Sequence, residues 1–163
     1  MSLTRQQSRQ ELSELQLPAA VLAIFDGQLP HPSLSYHCRD PRYIFSTPIE
    51  PSGVHITPLW ERGIVVTAYQ HSQPAGRFIT FSLEDHECIT VLGSSFQSVA
   101  AALLIDLWES EESNEALLEV ARLFEFRHFD RFLHECESRS RSDSPADHAA
   151  WRTRLFEFCE NAV

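Results

Sequence analysis

Eight histidines and four cysteines give the chain of 163 residues its most reactive side chains. Three short groups place the two types together: His37-Cys38, His86-Glu87-Cys88 and His134-Glu135-Cys136. In a strand, positions i and i+2 leave the same face, so His86 and Cys88 could chelate an ion or act as a base and nucleophile. In a helix the same spacing points apart, which counts against His134 and Cys136. Structural zinc sites use C-x₂₋₄-C and H-x₃₋₅-H pairs together, and no C-x₂₋₄-C pair occurs. No G-x-S-x-G elbow, phosphate-binding loop or dinucleotide fingerprint is present. Leu92-Gly93-Ser94-Ser95 reads as a strand-to-helix turn with a cap. Asp and Glu are abundant, yet no pair is singled out for hydrolysis. These residues predict no metal, no cofactor and no enzymatic activity. A small hydrolase using His86 and Cys88, or a carboxylate pair, is the least favoured alternative.

Charge says more than reactive groups do. The net charge is −10, and all 13 basic residues are arginines. Between Arg77 and Arg122 there is no basic residue, while Glu84, Asp85, Glu87, Asp106, Glu109, Glu111, Glu112, Glu115 and Glu119 fall within that interval. A solvated helix face with a charged turn explains such a run, and so does a surface that attracts a basic partner. The acidic balance argues against nucleic acid or an anionic membrane as partner. The polar opening M-S-L-T-R-Q-Q-S-R-Q lacks the apolar core of a signal peptide, and no run of about 18 apolar residues exists. The expectation is a cytoplasmic protein with thiol cysteines.

These residues must be positioned by an α+β domain of 1–163, with an antiparallel or mixed sheet over about 43–92 and helices on both sides of it in the chain. Ile64–Tyr69 alternates Val65, Thr67 and Tyr69 against Ile64, Val66 and Ala68. Gln70–Gly76 is a polar turn; Arg77–Ser82 alternates again; Glu84-Asp85-His86 turns the chain into Cys88–Leu92. That gives three antiparallel strands. Tyr43–Ser46 and Gly53–Ile56 are read as short edge strands, within and beside an irregular, proline-rich arm at 29–52. Residues 2–16 predict a polar helix with Leu12, Leu15 and Leu3 as its stripe. Ala19–Asp26 predicts a short apolar helix closed by Gly27. After Leu92 the period changes to i, i+3, i+4 through Phe96, Val99, Ala100, Leu103, Leu104 and Leu107, capped by Ser94 with Gln97 or by Ser95. Further helices start at Ser113-Asn114, near His128 and at Pro145, the last after a polar linker at 137–145.

Trp60, beside the turn at Gly63, is a core anchor or a partner-facing hot spot, the core being the commoner case. Around it the chain resembles the SUKH superfamily. The matching residues are Ile56-Thr57-Pro58-Leu59-Trp60, Gly63, Gly76-Arg77-Phe78, Phe81-Ser82-Leu83-Glu84 and Leu104-Ile105-Asp106-Leu107-Trp108. Leu17-Pro18, Ile24-Phe25 and Asp26-Gly27 resemble the start of that family's domain, without its second glycine. The resemblance covers about half of the chain and implies one α+β domain that binds protein without catalysis. Its members mostly act as immunity proteins against bacterial toxins. On this reading Glu84, Asp85, Asp106 and Glu109 supply charge toward a basic toxin, and Trp60 and Tyr69 supply aromatic anchors. The alternative of another class is a structural or regulatory domain, or a homo-oligomer built through the phenylalanine-rich helices.

Overall fold

The computed structural model describes residues 4–47, 50–72, 74–139 and 144–161. Its sheet is a fully antiparallel meander in the order β1 (His55–Arg62), β2 (Val65–His71), β3 (Arg77–Ser82) and β4 (Ile89–Gly93). Strand β1 is a full eight-residue strand where the sequence predicts only a short segment at Gly53–Ile56. Pro58 lies inside it and is tolerated because β1 is at an edge of the sheet, where a missing N–H breaks no ladder. Arg39 pairs with Glu61 on the outer side of that edge through two backbone hydrogen bonds, of 2.9 and 2.8 Å.

One residue in β1 sets the register. From the β1–β2 turn the pairs run Arg62↔Val65, Glu61↔Val66 and Trp60↔Thr67; Leu59 is then extra, and Pro58 faces Ala68. This β-bulge shifts everything before it by one position. His55 therefore faces His71 and not Ser72.

The two sheet faces alternate as the period-two pattern requires. Trp60, Phe78 and Leu92 join the main core with the helices, while Ile56, Val66, Ala68, Ile79 and Phe81 form a smaller core on the other face. Ile44 of the proline-rich arm and Val54 just after the arm cover that second face. The arm contains one further correction: Tyr43–Ser46 is a helical turn (α3) and not an edge strand. The buried carboxylate of Glu61 accepts hydrogen bonds from the backbone N–H groups of Arg42, Tyr43 and Ile44, at 2.8–3.1 Å. An acceptor supplied from another element lets those four residues coil.

Helices α1 (Arg5–Glu14) and α2 (Ala19–Phe25) pack beside β1. Gly27, with φ +86°, closes α2 through a paired set of bonds, Gly27 N–H to Ile24 O and Gln28 N–H to Ala23 O. Helix α4 (Phe96–Glu109) is the hub of the helical layer, followed by α5 (Asn114–Leu123), α6 (Phe129–Glu137) and α7 (Pro145–Asn161). The predicted stripe of α4 is too narrow: Ala101, Ala102 and Ile105 are buried as well, because α5, α7 and β4 contact it from different sides. Of its two candidate caps Ser95 is used, its Oγ accepting from Gln97 N–H at 3.1 Å. Ser94 instead donates to Glu160 near the end of α7. Leu3, and residues 140–143 of the expected linker, lie outside the described residues. No helix among the described residues is long and apolar enough to cross a membrane.

Candidate functional site

The β1–β2 and β3–β4 turns lie side by side at one end of the sheet, joined by Leu83 N–H to Ile64 O at 2.8 Å. Ile64 is 46% exposed there and Tyr43, brought in by α3, is 65% exposed. Together with Thr47, Gly63 and Leu83 they line a mostly apolar hollow of about 360 Å³. Glu84 and Asp85 follow Leu83 directly, both exposed, and neither joins an ion pair among the described residues. The neighbouring Glu87 is held by the backbone and hydroxyl of Ser52, which keep its carboxyl below the ordinary glutamate range.

The other predicted site residues lie elsewhere. Asp106, on α4, accepts from Arg62 at 2.8 Å and from Arg152 at 3.3 Å. Glu109 is 2.7 Å from His148 Nε2 and 3.8 Å from Arg152. Both acids are thus committed to arginines that come from outside the acid-only interval, one from β1 and one from α7. They belong to the wall of a cleft of about 400 Å³ between the sheet and α4 and α7, where Thr67, Thr80 and Thr90 stand in one row across β2, β3 and β4. Trp60 borders the same cleft but is only 4% exposed, edge-on to Phe124 at 5.8 Å. It is a core anchor, whereas the exposed large side chains at the sheet end are Tyr43 and Ile64. Tyr69 is half-buried between Phe78 and His71. The structure brings Glu84 and Asp85 together and separates them from Trp60, Tyr69, Asp106 and Glu109.

Among the described residues none of the three histidine–cysteine groups belongs to a cluster of three ligand atoms. Cys38 is buried, and burial pushes its thiol well above the ordinary value. Burial likewise lifts Cys136 to about 12 and Cys159 to about 11. Thiols held protonated in this way make poor nucleophiles. His86 turns to Glu87 at 3.3 Å.

A different cluster forms at the opposite end of β1 and β2. The rings of cross-strand partners His55 and His71 lie 4.6 Å apart between centroids, tilted by 33°. Glu11 of α1 reaches both, with Oε1 2.9 Å from His55 Nε2 and Oε2 3.8 Å from His71 Nε2. Thr57 Oγ1 stands between Glu11 Oε2, at 2.6 Å, and His71 Nε2, at 2.7 Å. Burial lowers the pKa of His71, reinforced by His55 and opposed by Glu11. Sequence spacing could not find this group, since its register depends on the bulge at Leu59. The one available signal was that His55 and His71 are equally far from Gly63.

No family model, curated protein or solved structure matches the chain.

Proposed function

We propose that the chain is a non-enzymatic binding module that takes a basic protein at the turn end of its sheet, in the manner of a SUKH-type immunity protein neutralising a toxin. The observation that carries this reading is the juxtaposition of exposed Tyr43 and Ile64 and half-buried Leu83 with Glu84 and Asp85. An apolar centre with an uncompensated acidic rim suits a partner that presents an apolar contact inside a basic surface. Within the acidic interval, Asp106, Glu109, Glu112 and Glu119 are already bound to Arg62 and Arg152, His148, Ser33 and His31, respectively. Glu84 and Asp85 remain available, and the net charge of −10 adds long-range attraction.

The test pairs the purified chain with the basic product of an adjacent gene, measuring affinity by calorimetry at low and high salt and growth on co-expression. Rescue of growth, with affinity lost on I64D and on E84K/D85K, supports the reading. Unchanged affinity in both variants overturns the surface assignment. Self-association of the wild type that I64D abolishes would favour the homo-oligomer.

A further inference from the structure

We propose that Glu11, His55 and His71 form a binding site for one divalent transition-metal ion of the zinc class. Each of the three offers one ligand atom, and these atoms all lie within 4.8 Å of one another. Two imidazole nitrogens and one carboxylate oxygen make a donor set that suits zinc, cobalt or nickel, and not the all-oxygen shells of magnesium or calcium. The elements differ in freedom in a useful way. His71 and Glu11 are substantially covered, whereas the His55 side chain is half exposed and has room to turn onto an ion held at about 2.0–2.2 Å.

Two further features fit a site. Thr57, itself fully buried, donates to Glu11 Oε2 and leaves the other oxygen turned toward His55. Such an outer partner fixes a ligating carboxylate. The register shift at Leu59 is what places the two rings opposite each other. Three protein ligands leave a fourth position for water or a donor atom from another molecule. An ion there would also tie α1 to the β1–β2 hairpin, since Glu11 is the only ligand of the three from outside it. The cluster lies about 20 Å along the strands from Ile64, so it stands or falls independently of the partner surface.

The experiment titrates zinc sulfate into the metal-free full chain by calorimetry and follows cobalt(II) by its visible absorption. One equivalent should bind, with a tetrahedral cobalt spectrum. The thermal midpoint should rise by roughly 5–10 °C at a hundredfold excess over Kd. H55N, at the half-exposed position, should keep the metal-free fold and lose at least about tenfold in affinity; E11Q should do the same while preserving side-chain shape. H86N/C88S should bind as the wild type does. No heat and no cobalt band up to millimolar metal would overturn the proposal. So would binding that survives H55N and E11Q and disappears in H86N/C88S.

Discussion

Among the described residues, two carboxylates each accept more than one backbone N–H. Glu61 is 3% exposed and collects the three N–H groups that open α3. Removing it strands donors in a covered region, so E61A should cost about 2–4 kcal/mol by chemical denaturation, and E61Q less. Glu160 receives the backbone N–H groups of Ser94 and Ser95 and the hydroxyls of Ser94 and Ser98. Burial alone would raise its pKa, but the hydrogen bonds from Ser94, Ser98 and Ser95 outweigh burial and hold it below the ordinary value. A depressed carboxyl contributes stability that is present above the unfolded value, about 4.3, and lost as the pH falls through the folded one. E160Q should therefore be less stable than wild type at neutral pH, with the gap closing in acid; denaturation curves at several pH values check this. Gly93 meets the same clasp, since a Cβ there would lie 2.2 Å from Glu160 Oε1 and 2.8 Å from Ser98 Oγ at φ +150°. Neither neighbour can yield without breaking it.

Among the elements, the ends of α4 and α5 are built alike and less comfortably than the end of α2. Glu111 and Glu125 occupy left-handed positions, φ +63° and +50°, where α2 has Gly27. Both repeat its bonding: Glu111 to Trp108 with Glu112 to Leu107, and Glu125 to Arg122 with Phe126 to Ala121. A side chain in that conformation costs about 1 kcal/mol that glycine avoids. E125G should raise stability by about 0.5–1 kcal/mol, since the exposed Glu125 side chain joins no ion pair among the described residues; an unchanged or lowered midpoint would show that the turn is not strained. Helix α4 itself depends on the Ser95 cap, and S95A should cost about 1 kcal/mol.

The whole molecule behaves as an acid whose charges are unequally spent. Ion pairs consume Asp106 and Glu109 within the cleft, while Glu84 and Asp85 face outward at the sheet end. If the turn end is the partner surface, E84K/D85K should slow association about tenfold or more at low salt, whereas D106N should leave the rate unchanged. The histidines give the chain a second pH response. Burial lowers the pKa of His37, with Asp106 and Glu112 opposing and Arg62 assisting, and burial also lowers that of His128, assisted by Arg127. The unfolded chain then takes up protons first, so stability should decline as the pH falls below about 6.5. H128N should flatten that decline, which urea denaturation between pH 7 and 5 will register.

The α+β class, strands β2 to β4, and six of the seven α-helices among the described residues follow from the sequence alone, because each is written in a local period, a cap or a turn residue. Val66 against Thr67 names the sheet faces, and Pro145, Ser113 and Gly27 name helix ends without any distant contact. Two elements were decided by contacts across the chain. Tyr43–Ser46 has the composition of a strand and coils because Glu61 supplies its acceptor; β1 extends through Pro58 because it lies at an edge. The same division holds for function. Glu84 and Asp85 are legible as free charge, being in a polar turn between strands. Which other acids are neutralised, that Trp60 is enclosed by Phe124, and that an extra residue at Leu59 sets His55 against His71 depend on where separate elements meet. Local sequence determines how most segments fold; packing decides the remaining ones, and packing alone determines which charges and rings remain to meet anything else.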